Sequence, residues 1–254
     1  MIDTHCHLDL PVFDADRGEV LARSRQAGVV QWVVPAISLA NFSALVALRS
    51  PAICIALGLH PLFVAEHPLD AVAQLAHWVA EVKPTAIGEI GLDGAAPATT
   101  HARQQWLFAA QVDLAQQVGL PLLLHVRRCH EPVLDLLTRS GFAFGGIVHA
   151  FNGSLQQGQR YVSLGFRLGM GGVVTRPQAV RIRQVAAQLP DTALVLESDA
   201  PDLPPAGHQG ERNEPCHLPL VAQSLAVLRG VSPEEIMETT SRNARTVLGL
   251  PDEG

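Results

Sequence analysis

Eight short apolar runs, each followed by a stretch of helical periodicity, recur along the whole sequence. This alternation narrows the fold more than any other feature. Runs at residues 1–5, 29–35, 53–59, 86–90, 122–125, 147–149, 166–170 and 194–198 have the length of strands buried on both faces. Helical patterns lie between them at 17–27, 40–49, 69–82, 101–118, 131–140, 155–164 and 178–189. Three more follow the last strand, at 219–229, 233–239 and 241–248. Asp16, Ser154 and the Ser232-Pro233 pair are suited to start helices, and Gly28, Gly119, Gly141 and Gly165 to end them. Eight strand–helix repeats over 254 residues predict an α/β chain folded as a (β/α)8 barrel of the TIM type, one domain over 1–254. A doubly wound open sheet would carry a glycine-rich phosphate loop after its first strand, and none is there. The Pro/Gly-rich stretch 200–215 reads as a long loop leaving the eighth strand.

In such a barrel the C-terminal ends of the strands converge on one face, where active sites are built. His5 and His7 are two apart at the first of these ends, so on a strand both imidazoles face one space. Glu89 ends strand four, His125 strand five, His149 strand six and Asp199 strand eight. Any one of them has a bland role as a cap, turn or core residue. Six at equivalent positions point to a joint one. Two buried carboxylates among four imidazoles need compensating charge, and two divalent cations supply it. Glu89 is the natural bridge, with His5, His7 and Asp199 on one ion and His125 and His149 on the other. A carbamylated lysine cannot bridge, because the single lysine, Lys83, precedes strand four. Imidazole ligands favour Zn, Mn, Co or Ni over Mg, although hydrolytic pairs accept several of these ions.

The net charge of −6 argues against a broad non-specific grip on nucleic acid. Local recognition is still open where bound cations reverse the charge of a site. No apolar run reaches the ~18 residues of a membrane span. The first residues lack the pattern of a signal peptide. Cys6, Cys54, Cys129 and Cys216 are scattered without a Cys-x-x-Cys motif, as in a reduced cytoplasm, which is the expected location. Cys6 alternates with the two histidines, so it should point away from their site.

Several segments carry a resemblance to a known family. They are Ile2-Asp3-Thr4-His5-Cys6-His7-Leu8-Asp9, Gly58-Leu59-His60-Pro61, Ala86-Ile87-Gly88-Glu89-Ile90-Gly91-Leu92-Asp93 and His125-Val126-Arg127. Gly146-Ile147-Val148-His149-Ala150-Phe151, Leu196-Glu197-Ser198-Asp199-Ala200-Pro201, Arg212-Asn213-Glu214-Pro215 and the region of Asn243 extend it to about residue 248. Together they resemble the TatD family of metal-dependent hydrolases, within the amidohydrolase-type barrels. The resemblance implies a two-metal hydrolase, commonly a 3′→5′ deoxyribonuclease, in which a metal-activated water attacks and Asp199 orients it and takes its proton. Arg127, facing the same way as His125, is a candidate phosphate binder. His60 is a candidate contact to substrate or to metal-bound water. Arg212 and Asn213, on the long loop, are candidates to fold over the mouth, and Glu197 to support the site from one layer below.

Two departures bear on the substrate. Many relatives follow Gly-Leu-Asp with tyrosines, where this chain has Gly94-Ala95-Ala96-Pro97. A Cys-Phe-Ser-Gly run after the strand-six histidine is replaced by Ala150-Phe151-Asn152-Gly153. Aromatic stacking supports single-stranded bases at roughly 1–3 kcal/mol each, and the loop after strand four has lost that option. Tyr161 is the only tyrosine, with Phe151 and Trp106 as the remaining aromatic platforms considered. The leading expectation is a phosphodiesterase acting on nucleic-acid ends. An ester or amide hydrolase, such as a D-aminoacyl-tRNA deacylase, is the alternative, and a metal-binding scaffold without turnover the minor one. DNA ends or tRNA are the expected substrates, with no membrane and no obligate protein partner.

Overall fold

Strand pairing follows chain order throughout. The computed structural model describes residues 1–250, so residues 251–254, the end of the domain expected over 1–254, lie outside the described residues. Among the described residues eight strands form one sheet, each parallel to the next. They are β1 (Ile2–Asp3), β2 (Gln31–Pro35), β3 (Ile53–Leu57), β4 (Ala86–Asp93), β5 (Leu122–Arg127), β6 (Gly146–Val148), β7 (Phe166–Met170) and β8 (Leu194–Leu196). The helices α1 (Arg17–Gln26), α2 (Phe42–Leu48), α3 (Ala71–Val82), α4 (His101–Val118), α5 (His130–Ser140), α6 (Leu155–Ser163) and α7 (Val180–Gln188) connect them. After β8 come α8 (Leu218–Arg229) and α9 (Pro233–Leu248). The expected (β/α)8 barrel is the observed fold.

The barrel interior is filled from below by one small residue layer. Ile2, Val33, Ala56, Ala86, Leu123, Ile147 and Val195, each from a different strand, are buried together with Ala244 and Leu248 of α9. That helix therefore plugs the end of the barrel opposite the strand C-termini. Two helices were expected here, at 233–239 and 241–248, and the structure has one. Thr240 and Ser241, which read as a break, donate their hydroxyls to Ile236 O (2.7 Å) and Met237 O (2.6 Å), satisfying themselves inside the helix. Ser232 caps it as expected, accepting from Glu235 N at 3.1 Å, and Ser154 caps α6 through Gln157 N. Asp16 makes no cap bond; Arg212 and Arg23 hold its carboxylate instead.

β1 is shorter than the expected run, because beyond Asp3 the chain leaves regular pairing to close the seam with β8. Thr4 donates both its N–H and its hydroxyl to Leu196 O, at 3.0 and 2.9 Å. Asp199 N donates to His5 O at 2.9 Å, and His7 N to Ala200 O at 2.7 Å. Between them Cys6 N turns the other way, to Val33 O of β2. The fully buried Asp3 completes the seam, accepting from Ser198 N (2.9 Å) and Ser198 Oγ (2.6 Å). Burial pushes its carboxyl up to about 7, against the lowering effect of the bonds from Ser198. Replacing Ser198 with alanine removes one donor from a buried carboxylate, and a loss of about 1–3 kcal/mol in urea unfolding is expected. A variant as stable as the parent would show that the seam does not rest on this bond.

Candidate metal centre

Glu89 stands at the middle of the C-terminal face, and the backbone of β4 is deformed to put it there. The ladder with β5 shifts register between Ile87 and Ile90, and the Gly88–Glu89 peptide is cis. Glu89 N donates not to a neighbouring strand but across to Ala36 O, at 3.0 Å. The bend requires glycine at 88, where a Cβ would lie 2.5 Å from the Cβ of Leu123. The result is a carboxylate only 1% exposed.

Its two oxygens face different histidines. Oε2 lies 3.2 Å from His5 Nε2 and 3.5 Å from His7 Nε2. Oε1 lies 3.0 Å from His125 Nδ1 and 3.2 Å from His60 Nε2. The His5 and His7 Nε2 atoms are themselves 3.3 Å apart, convergent as the sequence spacing predicts, although on the seam segment rather than within a regular strand. Cys6 points away, its Sγ against Val33 O. Asp199, held in a left-handed conformation (φ 58°), brings Oδ1 to 3.5 Å from His149 Nε2 and 4.0 Å from His7 Nε2. The rings of His5 and His149 stack at 3.6 Å.

Three ligand-type groups result: His5, His7 and Asp199; His5, Glu89 and His149; His60, Glu89 and His125. All six candidate ligands are brought together. His149 lies between the two histidine sets, its Nε2 3.5 Å from Asp199 Oδ1, its ring stacked on that of His5 at 3.6 Å and 6.4 Å from that of His125 on the adjacent strand. His60, weighed as a contact to substrate or water, lies against Glu89. It reaches this point because the β3 end adjoins β4, and its Nδ1 accepts Leu62 N to fix the ring.

The electrostatics suit cations. Burial alone would raise the Glu89 carboxyl, but His60 and His5 beside it, with bonds from His125 and His5, hold it well below the usual carboxylate range. Burial and the neighbouring His149 lower His5 strongly, so its imidazole is neutral and its nitrogens are available as donors. Burial pushes Asp199 up to about 6, against the pull of His149 and His7. The imidazole nitrogens of His5 and His7 facing each other, with a carboxylate at hydrogen-bond range, make a donor set that fits divalent cations.

A supporting layer lies beneath. Glu197 Oε1 accepts Ala150 N at 2.6 Å and lies 3.2 Å from His149 Nδ1, which orients that ring. Room for it exists because residue 169 is glycine; a Cβ there would come 2.0 Å from Glu197 Oε2. Asp93, which the sequence reading passed over, does the same for His125, with Oδ2 3.0 Å from Nε2. The signal was present: β4 runs to Asp93, not to residue 90, and Glu89 and Asp93 share one strand parity. Despite burial, the bonds from His125 and from Ala95 N lower Asp93 to about 2.

Arg127 ends β5, its side chain 57% exposed and Nη1 3.9 Å from Asp93 Oδ2. Arg212 and Asn213 are not brought to the cluster. Arg212 pairs with Asp16 (2.6 Å) and Glu214 (2.9 Å) above the Phe13 ring. Asn213 is buried and donates to Ser198 O and Asp202 O, both at 2.7 Å. Both pin the 200–215 loop to the body of the barrel. Lys83 caps the end of α3, before β4 and so away from the cluster. Tyr161 is fully buried, and Phe151 packs against it. Trp106 lies half exposed on α4.

Cations binding the folded chain alone add stability, about 2.7 kcal/mol at a hundredfold excess over Kd. For a chain of this size that is a rise in melting temperature of roughly 5–10 °C. Chelator-treated protein titrated with Zn or Mn should show this rise, and Glu89→Gln should lose most of it. An unmoved melting temperature in the parent would count against a metal centre.

A family model described as TatD related DNase matches residues 2–249. The chain is 41% identical over 254 residues to YjjV, an uncharacterized metal-dependent hydrolase of Escherichia coli K12, covering 98% of each. It is 30% identical over 265 residues to a Pantoea vagans protein named 3′-5′ ssDNA/RNA exonuclease TatD, covering 98% of this chain and 100% of the other. Its fold matches the crystal structure of YjjV, a TatD homolog, with a TM-score of 0.95 at 40% identity over 99% and 98% of the chains. An organophosphorus hydrolase mutant from Deinococcus radiodurans shares the fold alone, at 15% identity and a TM-score of 0.62 over 97% and 92%. Among the described residues no helix is long and apolar enough to cross a membrane. A match running the length of the barrel, on strand ends that gather these histidines and carboxylates, has one reading: the chain belongs to the TatD family of metal-dependent hydrolases.

Proposed function

We propose that this chain is a two-metal phosphodiesterase that shortens single-stranded nucleic acid from its 3′ end. One observation carries the reading. The two oxygens of a single buried carboxylate, Glu89, face two separate histidine sets, His5 with His7 and His60 with His125. A carboxylate so placed is suited to bridge two cations. His5, His7, His149 and Asp199 would hold one side of the pair, and His60 and His125 the other. Cations bound there supply Lewis acidity and bring the ionisation of water toward neutral pH. The exonuclease name of the Pantoea vagans relative supports nucleic acid as the substrate.

The chain's own groups supply the rest. Asp199 Oδ1 lies beside His7 and His149, and its raised affinity for protons suits it to take one from the attacking water. Glu197 keeps the His149 ring fixed while this happens, and Asp93 keeps that of His125 fixed. Arg127 is exposed on the same face as His125 and pairs with a phosphate oxygen, its guanidinium matching two at once. Arg212 and Asn213 hold the loop in place.

A 5′-labelled single-stranded oligonucleotide, incubated with Mn, Zn or Mg, should shorten from its 3′ end. Asp199→Asn should slow this about 10²–10⁴-fold. Glu89→Gln should abolish it, and Arg127→Gln should raise KM with little change in kcat. Equal residual shortening by the parent and Glu89→Gln would overturn the reading. Release of amino acid from D-aminoacyl-tRNA, with no shortening of any chain, would assign the same centre to ester hydrolysis.

A further inference from the structure

A cleft of about 830 Å³ opens from the ligand cluster, and it opens to one side only. His125, His149 and Asp199 form its inner end. From there it runs over the connections that follow β5, β6, β7 and β8; nothing from the connections after β1 to β4 lines it. Its floor is apolar, with Met170, Val173, Val174 and Ile182. Besides Arg127, two guanidinium groups line it, Arg128 and Arg181.

Neither of these two is ion-paired among the described residues, although the chain carries 24 acidic residues. Arg128 makes no hydrogen bond among them either. It directly follows β5 in a left-handed conformation (φ 59°), uncommon for a side chain of this size. Arg181, at the start of α7, uses one donor, Nη2 to Asn152 O at 2.7 Å. Asn152 is itself fixed on every side. Its Nδ2 donates to Val126 O and Ala150 O, and its Oδ1 faces His130 Nε2 at 3.1 Å. His130 is in turn 3.3 Å from the hydroxyl of buried Tyr161. A chain of bonded groups thus anchors Arg181 at one corner and leaves its other donors free.

We propose that Arg128 and Arg181 form a second anion site, which takes a phosphate of the substrate other than the one at the metal centre. The substrate then has one phosphate at the metal centre, a second against the arginine pair, and an uncharged body lying over the apolar lining. This rests on the phosphodiesterase reading. It adds that a lone phosphodiester is a poor substrate and that a second phosphate along the same chain is part of what is recognised. Asn152, where the family-like run is altered, acts as a positioning residue for Arg181.

Binding decides the proposal independently of turnover. The probes are thymidine 3′,5′-bisphosphate and the two thymidine monophosphates, titrated calorimetrically into the chelator-treated and the Mn-loaded protein. The bisphosphate should bind the parent at least ten times more tightly than either monophosphate. In Arg128→Gln/Arg181→Gln that gap should fall to within twofold, with monophosphate affinity unchanged. Both side chains are exposed, so the variant should keep the parent's circular dichroism and melting temperature. A parent that binds all three alike, or a gap that survives in the variant, overturns the second site. Kinetics give the companion measurement: the variant should raise KM about tenfold for a dinucleotide bearing a 5′-phosphate and leave the 5′-hydroxyl form unaffected. If no phosphodiester is cleaved by any form, the phosphodiesterase reading fails, while the binding gap still reports on the arginine pair.

Discussion

A charged carboxylate buried at the axis of a barrel is costly unless other groups answer it, and the upper half of this structure is arranged around one such group. Glu89 is answered on both oxygens by imidazoles that arrive from β1, β3 and β5, three separate strand ends. Each imidazole needs its own orientation, and the means differ. Asp93 holds His125, Glu197 holds His149, and a backbone N–H holds His60. The cluster is thus the visible part of a larger polar network whose outer members are themselves buried. Removing one outer carboxylate loosens a ring without removing any ligating atom.

The same network explains why the seam between β8 and β1 is closed by irregular bonds. Regular pairing would present alternate backbone groups to a neighbour. Here the 4–7 segment divides its donors between β2 on one side and the β8 extension on the other. His5 and Asp199 are tied together through His5 O, so the ligands at the two ends of the sheet are placed by one backbone contact. One of the bonds that close the barrel thus also sets the distance between two ligands.

Much of this was legible in the residues alone, for a physical reason. Strands buried on both faces are continuous apolar runs, so His125 directly after Leu122–Leu124 could be assigned to a strand end. What was not legible was geometry perpendicular to the chain. Asp93 escaped because the apolar run stops at Ile90 while hydrogen bonding continues to Asp93. The grouping of His149 with His5 depends on distances across the barrel, which no local spacing encodes. Arg212 and Asn213 share a motif-like segment, yet their partners, Asp16 and the carbonyls of Ser198 and Asp202, are remote or without side-chain signal. Helix α9 reads as two because hydroxyl side chains satisfying themselves within a helix look, in sequence, like a turn.

The one-sided cleft divides the molecule into halves with unequal freedom to change. Glu89 and three of the imidazoles facing it, those of His5, His7 and His60, come from the connections and strand ends of β1 to β4, where no cleft wall stands. The wall residues come from the later half, and the 171–182 stretch supplies many of them without contributing one ligating atom. Substitutions in that stretch can reshape the cleft and leave every candidate ligating atom in place. Descendants of one ancestral barrel can therefore diverge in diet while sharing a single chemistry.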